Sequence, residues 1–343
     1  PFPVPCFNMT KTSSPSVMIS SPNLIQQNFP GLYSFWKFSR PHTIIGTTLS
    51  VLGMYLIAIS EFRQFPGFNF SLLALFWSWL ACIFGNIYIV GLNQLEDIEI
   101  DQINKPNLPL ASGEYSKFQA QMIVGITGIL ALTIAAFQGY YLLGMVTISL
   151  LLGTAYSLPP IRLKRFPFWA AFCIFTVRGI IVNLGLYLHL SWILSAKSIS
   201  SIPIIPPSVW ALTLFVLVFT VAIAIFKDIP DLEGDRQFQI NTLTIKLGTV
   251  TVFNLSLWII TVCYLGMILG SFLLQSSLNP IFLGFSHLIL LTVLWWRSQT
   301  IDLSDKQSIT GFYQFIWKLF FLEYLIFPLS VLTTTISLNL KIV

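Results

Sequence analysis

Asn93 to Pro106 reads NQLEDIEIDQINKP, four carboxylates within six residues of a chain that is 55% hydrophobic and 9% charged. Soluble domains carry about 25% charged residues, and the apolar runs on both sides of this stretch are long enough to cross a bilayer as helices. The stretch therefore reads as the wet end of a membrane span. A second one, KDIPDLEGDRQ from Lys227 to Gln237, repeats the pattern. Eight of the thirteen Asp and Glu residues lie in these two places: Glu96, Asp97, Glu99, Asp101, Asp228, Asp231, Glu233 and Asp235.

Windows of roughly 19 residues give nine spans, at about 41–60, 72–95, 118–137, 140–157, 166–188, 207–227, 248–272, 280–297 and 313–336. The expected class is an all-α integral membrane protein with nine transmembrane helices. No linker divides the array, so residues 35–343 read as one transmembrane domain. Residues 1–34, polar and rich in Ser and Pro at their start, read as a disordered leader. With the N-terminus inside, fourteen Lys and Arg fall on the inner side, against Arg63, Lys197 and Lys341 outside and Arg178 within a span. That bias puts both acidic stretches on the cytoplasmic or stromal face.

The net charge of +5 is spread along the borders of apolar segments, the pattern of membrane orientation and not of nucleic-acid binding. The four cysteines lack metal or redox spacing, and the three histidines are isolated. No segment points to an obligatory protein partner; membrane lipid is the expected surrounding.

On a helix end, Asn93, Asp97 and Asp101 follow i, i+4, i+8, and Asp228, Asp231 and Asp235 follow i, i+3, i+7, so each set shares a face. The plain alternative is a pair of solvated helix ends. Acids at helix C-termini oppose the macrodipole, and five facing aspartates repel one another unless a cation intervenes. Hard oxygen donors suit Mg²⁺, which takes one or two carboxylates and completes its shell with water and substrate phosphates. Lys105, Lys227, Arg162 and Lys164 supply the basic complement that a departing diphosphate needs, whereas Arg165 reads as an orientation anchor. Arg40 precedes the first span as an anchor or a site residue. Arg178 lies 13 residues beyond Arg165, roughly 20 Å at 1.5 Å per residue. At that depth an arginine is a functional candidate; Asn183 is near it on the helix, and pairing with Glu323 is the structural alternative.

Extended, the two stretches become NQLEDIEIDQINKPNLPLASGE and KDIPDLEGDRQFQINTLTIKLG, which resemble the aspartate-rich signatures of the UbiA superfamily of intramembrane aromatic prenyltransferases. RPHTIIGTTLS, GTAYSLPPIRLKRF, VRGIIVNLG and FYQFIWKLFFLEY are similar to segments of the homogentisate phytyltransferases of cyanobacteria. The resemblance runs from about Phe35 to Pro328. It implies a ring of nine helices around a central cavity, with Asn93, Asp97, Asp101, Asp228, Asp231 and Asp235 holding Mg²⁺ against a prenyl diphosphate. Lys105, Arg162 and Lys164 would contact phosphate oxygens, and Tyr156 would steady the site. One departure is Gln239, where relatives often have glycine.

The implied substrates are phytyl diphosphate and homogentisate, joined with loss of carbon dioxide to give 2-methyl-6-phytyl-1,4-benzoquinol for tocopherol synthesis. Attack is expected at the ring carbon bearing the side chain. The implied setting is a cyanobacterial thylakoid or plasma membrane, or a plastid membrane. Alternatives are a geranylgeranyl or solanesyl donor, another acceptor such as chlorophyllide, and, from a different class, a secondary transporter. Transporters gather their ionisable groups near the midplane between inverted repeats; here they gather at one face, after the second and sixth spans.

Overall fold

The computed structural model of the chain describes residues 27–60, 68–195 and 203–340. Among these residues there is no strand, and nine helices are long and apolar enough to cross a membrane. They run Pro41–Ser60, Leu72–Glu96, Lys117–Gln138, Tyr140–Ser157, Phe168–Leu194, Pro207–Phe226, Thr249–Leu273, Pro280–Ser298 and Lys306–Thr335. The order matches the hydropathy reading. The ninth starts seven residues earlier than expected, because the polar turn Lys306–Ser308 continues into the apolar helix without a breaker.

Local chemistry sets the boundaries. Proline opens the first, sixth and eighth spans, where its missing N–H costs nothing. Ser116 and Gln119 form a reciprocal capping box at the start of the third, with Ser116 Oγ accepting from the Gln119 N–H at 3.2 Å. Asn279 Oδ1 accepts from the Phe282 N–H at 3.1 Å at the start of the eighth. The third and fourth spans are joined through Gly139 alone, at φ 138°, where a Cβ would sit 2.4 Å from the Trp192 ring. Only glycine fits that hairpin.

The stretch 1–34 expected to be a disordered leader overlaps a helix at its end. Residues 1–26 lie outside the described residues, but Pro30–Phe38 is a helix. It is tied down by polar contacts of Ser34 and Lys37 with Glu114 and by Phe38, fully buried against Tyr115.

Packing follows a ring. The second span packs on the third, the sixth on the seventh, and the ninth on the first, which closes the circuit. An aromatic core of Phe215, Phe219, Tyr264, Phe320 and Phe327 knits the sixth, seventh and ninth spans. The first, second, fourth, fifth, sixth and ninth spans wall a cavity of about 1700 Å³. The seventh and eighth do not line it, and the third reaches it only through Lys117 at its start.

Candidate active site

Both acidic stretches lie at one end of this cavity, but neither is the continuous helix that the spacing suggests. The second span ends at Glu96, Asp97 leaves helical geometry (φ −117°, ψ 21°), and Ile98–Asn104 restarts as a short helix. In the second stretch the chain turns after Phe226 and restarts at Leu232–Gln237, with Asp231 at its N-cap. The middle aspartate of each set thus stands where the helix dipole favours negative charge, which removes the objection to acids at C-termini. Glu99 and Glu233 are exposed; Glu99 still lines the cavity and Glu233 does not.

Within the first set, Asn93 Nδ2 donates to Asp97 Oδ2 at 3.0 Å. Lys164 Nζ donates to Asp97 Oδ1 at 2.7 Å, and Arg162 Nη2 lies 3.4 Å from the same oxygen. Arg162 also donates to the Glu96 carbonyl at 3.2 Å. Arg40 reaches Asn93 Oδ1 at 3.4 Å and Asp101 Oδ2 at 3.7 Å, so it belongs to the first motif. Arg40 and Arg162 both have left-handed backbones, φ 53° and 38°, a conformation uncommon outside glycine and frequent at functional sites. Gln239 is also left-handed at φ 54°, a conformation that favours glycine.

The two sets are joined. Lys105 Nζ lies 2.6 Å from Asp231 Oδ2 and 4.0 Å from Asp101 Oδ1. Asn104 Oδ1 accepts from the Gly234 N–H at 3.0 Å, and a Cβ on Gly234 would lie 2.4 Å from that oxygen. Sequence reasoning missed Asn104; the glycine inside an acidic run was the available signal. Lys227 sits 3.7 Å from Asp228. Tyr156, then Asp228 and Asp231, push the Lys227 ammonium above its usual range against the cost of burial. Burial, then Asp231 and Asp228, push the Asp235 carboxyl up to about 7.

Among the described residues, no three acidic, histidine or cysteine groups stand close enough to ligate one ion by themselves. Asp97, Asp101, Asp228 and Asp231 are instead partnered by Lys and Arg, and Asp101 Oδ2 is buried without a hydrogen bond. Such a donor set does not fit an all-protein metal cage. It fits an ion held by one or two carboxylates and completed by phosphate oxygens and water.

Arg178 lines the cavity, its guanidinium 4.5 Å from the centre of the Trp317 ring. It does not pair with Glu323, which lies 3.2 Å from His287, both fully buried. That contact was illegible in the sequence, where His287 stood isolated. Asn183, expected near Arg178 on the helix, is fully buried and does not line the cavity. Its amide is consumed by the Gly179 carbonyl at 3.0 Å and the Tyr324 hydroxyl at 2.9 Å. Tyr156 lines the cavity, and Arg165 makes no ion pair among the described residues.

Residues 48–319 match the UbiA prenyltransferase family. The chain belongs to that family. It is 55% identical to the homogentisate phytyltransferase of Synechocystis sp. over 299 residues, 87% of this chain and 96% of that one. It is 41% identical to homogentisate phytyltransferase 1, chloroplastic, of Arabidopsis thaliana, over 89% of this chain and 77% of the relative. Among solved structures, a UbiA homolog from Archaeoglobus fulgidus bound to DMAPP and Mg²⁺ superposes with a TM-score of 0.56 at 16% identity, covering 88% of this chain and 99% of the other. At that identity the likeness is one of fold, and it agrees with the nine-helix UbiA architecture.

Proposed function

We propose that this protein transfers the phytyl group of phytyl diphosphate to homogentisate, giving 2-methyl-6-phytyl-1,4-benzoquinol, carbon dioxide and diphosphate in tocopherol synthesis. The observation that carries this reading is the 55% identity to the Synechocystis enzyme across 96% of that enzyme. The geometry supports it: a large apolar cavity whose mouth carries two aspartate sets and a basic loop. A transporter would gather its ionisable groups near the midplane.

The allylic carbon–oxygen bond breaks with its electron pair leaving on the diphosphate, and the electron-rich ring supplies the pair for the new carbon–carbon bond. The product itself corrects the expected point of attack. Its methyl and phytyl groups flank one hydroxyl, so the bond forms at the open carbon on that hydroxyl's far side, not at the carbon bearing the side chain. The attacked carbon gives up its proton, and a proton replaces the departing carbon dioxide on the side chain.

Lys105, Arg162, Lys164 and Lys227 bind the diphosphate, exchanging the aspartates that hold them in the free protein for phosphate oxygens. Asn93, Asp97, Asp101, Asp228, Asp231 and Asp235 are the residues that would hold Mg²⁺, which supplies charge neutralisation to the leaving diphosphate. Arg40 orients Asn93 and Asp101. The apolar cavity walls keep water from the allylic cation. The charge bias supports a site on the cytoplasmic or stromal face, in a cyanobacterial thylakoid or plasma membrane or a plastid membrane.

The test incubates purified protein in detergent with labelled homogentisate or 4-hydroxybenzoate, each with phytyl, geranylgeranyl or solanesyl diphosphate. Release of carbon dioxide with an organic-soluble phytyl quinol is expected, geranylgeranyl diphosphate serving more slowly. Preference for 4-hydroxybenzoate overturns the acceptor, and preference for solanesyl diphosphate overturns the donor.

A further inference from the structure

Arg178 stands near the middle of the fifth span, where an ionised side chain is costly and is retained for a reason. The helix departs from α geometry at this point. Thr176–Ile181 form a π-helical segment between Pro167–Phe175 and Val182–Leu194. Such insertions are frequent at functional sites, because the extra residue re-aims the side chains of its turn.

The turn is fixed from behind. Asn183 holds the Gly179 carbonyl with its amide N–H and accepts from the Tyr324 hydroxyl of the ninth span. Gly179 lets the sixth span approach so closely that a Cβ would lie 3.2 Å from the Leu217 Cα. A polar scaffold thus locks the outer side of the segment while Arg178 lines the cavity.

What Arg178 meets there is not an anion. Its guanidinium lies 4.5 Å from the Trp317 ring centre and 5.8 Å from that of Phe320. Two ring faces offset only part of the cost of desolvating the charge. Arg40, Lys105, Arg162, Lys164 and Lys227 each have an aspartate within 4.0 Å, and Arg178 has no carboxylate at that range among the described residues. The acid of the facing helix, Glu323, is already committed to His287.

We propose that Arg178, held against Trp317, is an acceptor subsite that binds the carboxylate of an aryl carboxylic acid; on the reading above, which this inference deepens, that acid is homogentisate. The planar fork of a guanidinium matches a carboxylate with two parallel hydrogen bonds. An acid entering an apolar cavity needs such a partner. The diphosphate already has its cations at the mouth, so the two anionic groups bind at separate depths of one cavity. Anchoring the side chain at Arg178 leaves the ring carbons meta and para to it facing the mouth. The carbon that receives the phytyl group is one of the meta carbons.

The experiment compares wild type with Arg178→Lys, Arg178→Gln and Arg178→Leu, measuring the KM for homogentisate and for phytyl diphosphate separately. Inhibition by 4-hydroxyphenylacetate, which keeps the carboxylate, and by methylhydroquinone, which lacks it, is measured alongside. We expect Arg178→Leu and Arg178→Gln to raise the homogentisate KM about ten- to a hundredfold, with Arg178→Lys between them and wild type. The phytyl diphosphate KM should stay within about twofold. 4-Hydroxyphenylacetate should lose potency in parallel with homogentisate, and methylhydroquinone should keep it. A rise confined to the phytyl diphosphate KM assigns Arg178 to the diphosphate and overturns the proposal, as does equal weakening of both inhibitors. If Arg178→Leu does not fold, the lysine and glutamine variants decide the question. A wild-type preference for 4-hydroxybenzoate defeats the homogentisate reading alone, because the same variants then test Arg178 against that carboxylate.

Discussion

Lys105 and Asp231 meet across the two acidic stretches, Nζ to Oδ2 at 2.6 Å, although 126 positions separate them in the chain. This lysine is the counterion that lets Asp101 and Asp231 share one mouth. Lys105→Met should therefore weaken phytyl diphosphate binding and slow turnover together, and Asp231→Asn in the same chain should show strong non-additivity. Asp97→Asn or Asp228→Asn should abolish turnover while the protein still inserts and folds, and excess EDTA should do the same to wild type. Full activity in EDTA sinks the Mg²⁺ reading; additive Lys105 and Asp231 effects sink the coupling.

The basic loop makes a graded prediction. Lys164 and Arg162 both reach Asp97, whereas Arg165 makes no ion pair among the described residues. A charge-assisted hydrogen bond is worth about 1.5–3 kcal/mol, so losing one should cost about ten- to a hundredfold in kcat/KM. Lys164→Ala and Arg162→Ala should each show that loss, with Arg165→Ala close to wild type. Three variants indistinguishable from wild type would leave the loop as an orientation anchor only.

The buried carboxyls predict an unusual pH profile for the metal-free protein. Burial, then Asp231 and Asp228, raise Asp235 from 3.8 to about 7, and burial raises Asp101 and Asp228 in the same direction. Between about pH 4 and 7 the folded state then binds more protons than the unfolded chain, so stability falls as pH rises through that window. In detergent with EDTA, the Tm should drop from pH 5 to pH 8, and Asp235→Asn should flatten the slope. Added Mg²⁺ with pyrophosphate should stabilise more at pH 8 than at pH 5. A metal-free Tm that climbs between those values in both proteins contradicts the burial of Asp235.

These contacts mark where the sequence stops being readable. Hydropathy reports what faces lipid, so nine spans, their order and the shared face of both acidic stretches were legible from composition and charge bias. That these aspartates gather at one cavity was legible too, since acids are scarce in an apolar chain. Their partners were not: nothing in the spacing joins Lys105 to Asp231, brings Arg40 to Asp101, or hands Glu323 to His287. Those pairings depend on which helices neighbour each other in the ring, a property of packing and not of periodicity. The π turn at Arg178 escaped as well, because one added residue leaves an all-apolar span looking unchanged.

Gly234 and Asn104 should behave as one unit. The Gly234 N–H reaches Asn104 Oδ1 at 3.0 Å, and no Cβ fits between them. Asn104→Ala leaves a buried donor unpaired, at about 1–3 kcal/mol; Gly234→Ala pushes the two short helices apart. Both should reduce kcat by about tenfold or more through displaced aspartates, without altering membrane insertion. The check is kcat and Tm for each single variant and the double one, whose effects should be less than additive. Unchanged kcat in Gly234→Ala would show that the helices need not touch for catalysis.

His287 and Glu323 form a buried contact that does not line the cavity. His287 Nε2 lies 3.2 Å from Glu323 Oε2, and the other ring nitrogen is 2.8 Å from the Leu283 carbonyl oxygen. Both side chains are fully buried beside Phe215 and Phe327. Removing one member of such a pair strands the other, at about 3–5 kcal/mol, whereas replacing both with apolar groups of similar volume is roughly neutral. Glu323→Leu and His287→Leu should each lower the Tm sharply, and the double variant should recover most of it. Because Glu323 partners His287 and not Arg178, the homogentisate KM of the folded fraction should stay near wild type in all three. A Glu323→Leu protein whose homogentisate KM shifts as far as that of an Arg178 variant, with its Tm unmoved, would reassign the acid to the guanidinium.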